Sequence, residues 1–161
     1  MAIKQKMPET SARKQSAAGL LNTSPLDASL GYSLRRAELS AYADYWAAME
    51  AYDIRPYQYA VLVLIRANPG VSQSLISEEL RIQKTNFVAV IDRLEERGLT
   101  ERRRTTGDRR ASALFLTRTG ETFVKKLEAT HARYEKKLMS RLGMKRGKLL
   151  LQMLHDFSTP E

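Results

Sequence analysis

The sequence predicts a mainly α chain carrying one small β-hairpin. Three observations carry that prediction. Apolar residues recur at alternating spacings of three and four over most of the chain, which stacks them on helical faces. Breakers punctuate these stretches at Pro56, at Asn68-Pro69-Gly70 and at Gly98. Between Leu99 and Leu116 alone the period shortens to that of a strand, around the turn residues Thr106-Gly107-Asp108. At 161 residues the chain is long enough for one domain with appendages and a real core.

Taken in order, residues 1–25 mix Lys, Gln, Ser, Ala and Thr without apolar periodicity and read as a disordered basic tail. From Asp27 to Asp53 there is no proline, and Asp27 can cap a long helix. Arg35, Leu39, Tyr42, Trp46 and Met49 form one stripe on it; Leu30, Leu34, Ala37, Ala41, Tyr45, Ala48 and Tyr52 form a second beside it. Apolar surface this wide calls for a second subunit as well as a domain face. Pro56 opens a short buried helix carrying Tyr59, Val61, Leu62, Leu64 and Ile65. Ser72 caps a third helix, with Leu75, Ile76 and Leu80 inward. After the link Arg81-Ile82-Gln83, a fourth helix from Lys84 to Arg97 carries Phe87, Val90, Ile91 and Leu94, with Gly98 at its C-cap. This pair has the shape of a helix-turn-helix. The strands Leu99–Thr105 and Ser112–Leu116, with Arg102, Arg103, Arg104, Arg109 and Arg110 around their tip, make a wing. Thr117 caps a long helix to Leu142 with Phe123, Leu127, His131, Tyr134 and Leu138 on one stripe, and Lys145 to Phe157 forms a last helix.

The formal charge of +9 is unevenly placed. Residues 26–80 hold seven acidic and four basic side chains, residues 81–120 ten basic and five acidic, and residues 121–148 nine basic and three acidic. A basic second half makes a polyanion the leading partner, nucleic acid before membrane. Zero cysteine removes disulfides, zinc fingers and thiol redox sensing. No apolar run approaches the ~20 residues needed to cross a bilayer, and the first residues lack a signal-peptide stretch. Catalysis is not expected: there is no nucleophile–base spacing and no phosphate loop, and only His131 and His155 offer imidazole. Two histidines without cysteine also argue against a metal site.

Four strings, in order, complete the reading: Val71-Ser72-Gln73-Ser74-Leu75-Ile76-Ser77-Glu78-Glu79-Leu80, Asp92-Arg93-Leu94-Glu95-Glu96-Arg97-Gly98-Leu99, Gly107-Asp108-Arg109-Arg110, and Leu116-Thr117-Arg118-Thr119-Gly120. On these the chain resembles the MarR family of bacterial transcription regulators over about residues 28–157. The resemblance implies a cytoplasmic, nucleoid-associated homodimer without cofactor or metal. Residues 26–54 and 118–161 would form its helical dimerisation region, and 55–117 a winged helix-turn-helix lobe gripping half of a palindromic operator in double-stranded DNA. It favours repression; an activator or a ligand-independent architectural protein is the alternative.

A recognition helix puts its first side chains at base edges in the major groove, here Gln83, Lys84, Thr85 and Asn86. Asn86 or Gln83 can pair with adenine, and Lys84 can donate to guanine or phosphate. Val88 and Ala89 stand where many family members carry polar residues, which suggests methyl contacts to thymine or fewer base contacts. Ser72, Gln73 and Ser74 suit phosphate contacts, with simple capping the competing reading. Arg109 and Arg110 can enter the minor groove; the resemblance implies that Asp108 pairs with a wing arginine. Strand alternation lets one or two of Arg102, Arg103 and Arg104 face DNA, Arg104 foremost. Arg93 reads as a helix-surface ion-pair partner that can also touch phosphate.

Six of the seven tyrosines and the only tryptophan fall between residues 32 and 59. Tyr32, Tyr42, Trp46 and Tyr59, with His131, could line a pocket for an aromatic (phenolic) carboxylate, clamped by Arg35 or Arg36; the resemblance adds an aryl-CoA thioester as the other ligand it implies. The competing reading makes the same stripe core or dimer interface. Oxidant-sensing members of the family use cysteine, so this chain falls outside that branch.

Overall fold

The computed structural model describes residues 22–104 and 112–159. Most of the expected tail and the wing tip with Asp108, Arg109 and Arg110 lie outside these residues. Contacts along the chain separate a unit ending at Glu38 from one beginning at Leu39. The first holds a 3-10 turn, Ser24–Leu26, and the opening turns of helix α1 (Leu30–Met49). Helix α1 thus begins later than Asp27, which instead closes the 3-10 turn through its N–H to Ser24. The Ser29 hydroxyl accepts from the Tyr32 N–H (3.3 Å), so Ser29 caps α1. It also ends earlier than expected. A second 3-10 turn, Glu50–Tyr52, leads to Asp53 in the left-handed region (φ 48).

In the second unit, helix α2 (Pro56–Ala67) starts with proline at its first turn, and the buried Gln58 accepts from the Arg55 N–H (2.9 Å). A tight turn at Gly70 (φ 86) feeds strand β1 (Val71–Ser72) and helix α3 (Gln73–Glu79). Helix α4 (Lys84–Glu96) follows, then strands β2 (Thr100–Arg104) and β3 (Ser112–Leu116). The expected hairpin is a three-stranded antiparallel sheet ordered β1-β3-β2, with Val71 opposite Leu114 and Arg102 also opposite Leu114 across the other edge. Helices α5 (Arg118–Leu142) and α6 (Met144–Ser158) complete the chain, parted by Gly143 at φ 77.

One core joins these elements. Met49, Ile54, Val61, Leu62, Ile65, Phe87, Ile91, Leu94, Leu114, Val124 and Leu127 are fully enclosed, each burial stabilising the fold by roughly 1.5–3 kcal/mol. Phe87, Val90, Ile91 and Leu94 face inward from α4 as their spacing requires. Leu75 does not: it is exposed, and Ile76 and Ser77 fill the interior side of α3. Adjacent residues stand about 100° apart around a helix, so the face that buries Ile76 and Ser77 turns Leu75 to water. The ends of α4 and α5 are tied together. Gly98 caps α4 at φ 66, the Thr117 hydroxyl donates to the Gly98 carbonyl (2.5 Å), and the Gly120 N–H donates to Thr117 Oγ1 (2.9 Å). Gly120 sits so close to β2 that a Cβ there would lie 2.0 Å from the Leu99 carbonyl oxygen.

Candidate functional site

The turn between α3 and α4 sets how the recognition helix is presented. Arg81 adopts φ 50, and its N–H and that of Ile82 donate back to Glu78 (3.1 Å) and Ser77 (2.9 Å). The turn is made without glycine, at a strain of about 1–2 kcal/mol. At the head of α3 the Ser72 hydroxyl accepts from the Leu75 N–H (3.3 Å), which is the capping reading of that serine. Ser74 is exposed and Gln73 half-buried. Gln83, Lys84, Thr85 and Asn86 are all exposed at the start of α4, and Lys84 stands 3.6 Å from Glu78 with both groups largely in water. Such a pair contributes little, so Lys84 stays usable for another anion.

The wing arginines divide by strand face. Arg102 folds onto α4: its N–H donates to Glu95 (2.7 Å), its guanidinium pairs with Glu95 and with Asp92 (2.7 Å), and Nη2 reaches the Val88 carbonyl (3.5 Å). Arg103, on the other face, lies over the Phe115 ring (4.3 Å to its centre) and pairs with Glu101. Arg104 continues β2 opposite Ser112. Arg93 does not become an ion-pair partner among the described residues; Asp92 and Glu95, one and two positions away on the helix, point elsewhere and pair with Arg102. Arg93 remains exposed beside a groove of about 380 Å³ lined with it by Tyr57, Ile82, Asn86, Ala89 and Val90. At the far end of α4, Arg97 donates to the carbonyls of Asp53 (2.8 Å) and Tyr52 (2.9 Å) and covers the Phe123 ring. The Tyr52 hydroxyl in turn meets Thr130 (3.3 Å) on α5. The recognition helix is held from both ends.

A second constellation lies between α1, α2 and α5. Tyr59 and His131 stack with ring centres 4.4 Å apart and 20° between planes. Tyr45 meets His131 edge-on (6.3 Å) and Tyr134 edge-on (5.5 Å). Tyr45 is 3% exposed, and its hydroxyl has no hydrogen-bond partner among the described residues. Tyr134 donates to the Ala41 carbonyl (3.2 Å), and His131 Nε2 stands 3.6 Å from Glu135. Burial pushes the Tyr45 phenol well above its ordinary range, with the neighbouring Tyr59, Tyr134 and Tyr42 adding to the effect. Burial raises Tyr59 too, helped by the Glu128 charge, and likewise Tyr134, helped by Glu135. Beside them Asp44 binds Lys137 (3.0 Å) and Arg141.

Of the expected pocket residues, the structure therefore brings together Tyr59 and His131. Tyr42 and Trp46 are exposed on the stripe of α1 turned away from this core. In the first unit Arg36 lies over the Tyr32 ring (5.7 Å) and Arg35 pairs with Glu38 (2.6 Å). Sequence reasoning missed Tyr45. Its position on the second stripe, four residues past Ala41 and three before Ala48, is the signal that places it inward. Among the described residues no group of three or more acidic or histidine side chains could hold a metal ion, and no helix is long and apolar enough to cross a membrane.

This arrangement has close counterparts. Residues 52–111 match the MarR family. The chain is 31% identical over 137 residues to a putative transcriptional regulatory protein for the hcr operon of Thauera aromatica, covering 81% of this chain and 82% of that one. The transcriptional repressor CouR bound to a 23-mer DNA duplex superposes with a TM-score of 0.83 at 37% identity, over 86% of this chain and 99% of CouR. CouR bound to p-coumaroyl-CoA gives 0.81 at 34%, over 88% and 99%. PcaV of Streptomyces coelicolor, in complex with its natural ligand, gives 0.75 at 26%, over 83% and 94%. The shared winged fold, the order of its elements and the length of these matches assign the chain to the MarR family, as a transcriptional regulator.

Proposed function

We propose that the protein is a homodimeric repressor, acting in the bacterial cytoplasm, that holds a palindromic operator and releases it when an aromatic acid or its CoA thioester binds. The observation that carries the effector half is Tyr45: a buried hydroxyl without a partner among the described residues, walled by Tyr59, His131 and Tyr134. Leaving such a group unpaired costs about 1–3 kcal/mol, and a phenol or carboxylate seated against the cluster would give it one. The stacked Tyr59–His131 pair offers a planar wall for an aromatic ring, and His131 a second polar contact. That CouR binds p-coumaroyl-CoA supports the same ligand class.

Dimerisation is supported by α6, whose Leu149, Leu150, Leu151, Met153, Leu154 and Phe157 are all exposed. A second copy related by a twofold axis would cover them and repeat the DNA-reading lobe at a palindrome's spacing. In that assembly residues 26–54 and 118–161 dimerise and 55–117 read DNA, with Ser72, Gln73, Ser74, Arg93, Arg104, Arg109 and Arg110 on phosphates or the minor groove, Asp108 bracing the wing, and Gln83, Lys84, Thr85 and Asn86 at base edges.

Calorimetry of the purified dimer against p-coumarate and p-coumaroyl-CoA tests the effector, with operator release followed in parallel by fluorescence anisotropy. Micromolar binding that releases DNA is expected from one of the two. Binding of neither below millimolar concentration would reject the effector site and leave a ligand-independent regulator. Replacing Arg109 and Arg110 with Ala should weaken operator binding and flatten its salt dependence; an unchanged salt titration would reject the wing contacts.

A further inference from the structure

Val88 occupies an unusual place. It is 46% exposed in the middle of the recognition helix, one turn beyond the polar head formed by Gln83, Lys84, Thr85 and Asn86, and Ala89 beside it is also exposed. No side chain of the described residues covers it, and a β-branched residue at such a position gains nothing from helix propensity. Its neighbours along the same face, at i+4 and i+7, are Asp92 and Glu95. Two carboxylates would ordinarily repel a phosphate backbone from this flank. Here Arg102 pairs with both, cancelling one of their two charges, and reaches the Val88 carbonyl, so the wing base is fastened to the flank that Val88 occupies. The flank is thus fastened to the wing base and apolar at its centre.

We infer that Val88, with Ala89, is a specificity-determining contact that reads the 5-methyl group of thymine in the operator. Of the four bases, thymine alone presents a methyl group in the major groove. An apolar pair at the middle of a recognition helix selects for it without a hydrogen bond, leaving donor–acceptor reading to the polar head. This inference rests on the DNA-reading role of α4 proposed above and goes on to name what the centre of that helix recognises.

The test separates the two. Duplexes selected from a random pool by the full-length dimer define the operator. Each thymine of a half-site is then replaced by deoxyuracil, which lacks only the methyl group. Burying a methyl-sized apolar group contributes about 0.8 kcal/mol, so one or two thymines per half-site should each show a three- to fivefold weaker Kd when replaced. With Val88→Ala the loss at those positions should fall towards onefold, while the salt slope stays that of the unaltered protein, because no phosphate contact is touched. Val88→Thr, which keeps one methyl group and nearly the same volume, should retain part of the discrimination and guards against a folding artefact. An equal uracil penalty in both proteins, or no thymine sensitive to replacement, would overturn the inference while leaving the regulator reading intact. Failure of the unaltered dimer to select any sequence would instead overturn the DNA-reading role of α4.

Discussion

Tyr45→Phe removes one oxygen atom from the interior and has opposite effects on stability and on ligand response. The phenol ring keeps its edge-on contacts with Tyr134 and His131, so no cavity opens and packing is preserved. What is lost is a hydroxyl that is buried and has no partner among the described residues. The penalty of such a group is about 1–3 kcal/mol, and in a chain of this size each kcal/mol moves Tm by about 2–4 °C. Phenylalanine should therefore raise Tm by roughly 2–12 °C, measured by circular dichroism at equal protomer concentration, since dimer stability depends on it. A pH series gives a second reading. The buried phenol titrates above its ordinary range, so the folded state holds its proton more tightly than the unfolded one. The contribution is complete below about pH 10 and is lost as pH rises beyond that. The phenylalanine variant should lose less stability in that alkaline range. The same variant should bind the aromatic effector about tenfold more weakly, one hydrogen bond being forgone. A fall in Tm would refute the reasoning, because it would mean that the hydroxyl already has a partner in the unliganded protein.

Three further outcomes are expected. Gly120→Ala should cost about 2–4 kcal/mol in thermal denaturation, because its Cβ meets the Leu99 backbone at 2.0 Å and would break the Thr117 cap; an unchanged Tm would contradict the close approach. Asp44 is held below the usual carboxylate range chiefly by its hydrogen bond from Lys137, with the Arg141 charge adding, against the opposing effect of burial. Its contribution is present above about pH 4 and lost as pH falls below it, so Asp44→Asn should be less stable than the unaltered protein at pH 7, and that gap should narrow in acid denaturation curves. Arg102→Ala should weaken operator binding with little change in salt slope, whereas Arg93→Ala should reduce the slope by about one for each lobe whose arginine meets a phosphate; equal slopes in filter binding would show that the two arginines do not differ in role.

Much of the fold was legible because long amphipathic helices repeat their signal many times. The inward face of α4 and the caps at Ser72, Gly98 and Thr117 follow directly from spacing and residue type. What escaped was short. Strand β1 has two residues, and a period of two cannot be recognised in a segment of that length. The turn at Arg81 takes a left-handed conformation without the glycine that would announce it. The start of α1 was misplaced because Asp27 and Ser29 are both good capping residues, and only the 3-10 turn before them decides between the two. At the aromatic cluster the two stripes on α1 look equally apolar in sequence. Which one faces the core depends on α5, which supplies His131 and Tyr134 from some ninety residues away. Long-range choices of this kind are invisible to a local pattern.

The charge pattern shows the same gap between composition and site. Ten basic residues in 81–120 suggest a surface that attracts DNA throughout. The structure subtracts from that number. Arg97 holds two backbone carbonyls, Arg102 pairs with Asp92 and Glu95, and Arg103 meets Glu101 and the Phe115 ring. Arg97 and Arg102 thus position the recognition helix and the wing base, whereas the Arg103–Glu101 pair lies largely in water and leaves Arg103 usable for another anion. The salt dependence of operator binding should accordingly follow the free cations and not the formal charge of +9. Positioning and attraction are divided among residues of one type, and only their hydrogen-bond partners tell them apart.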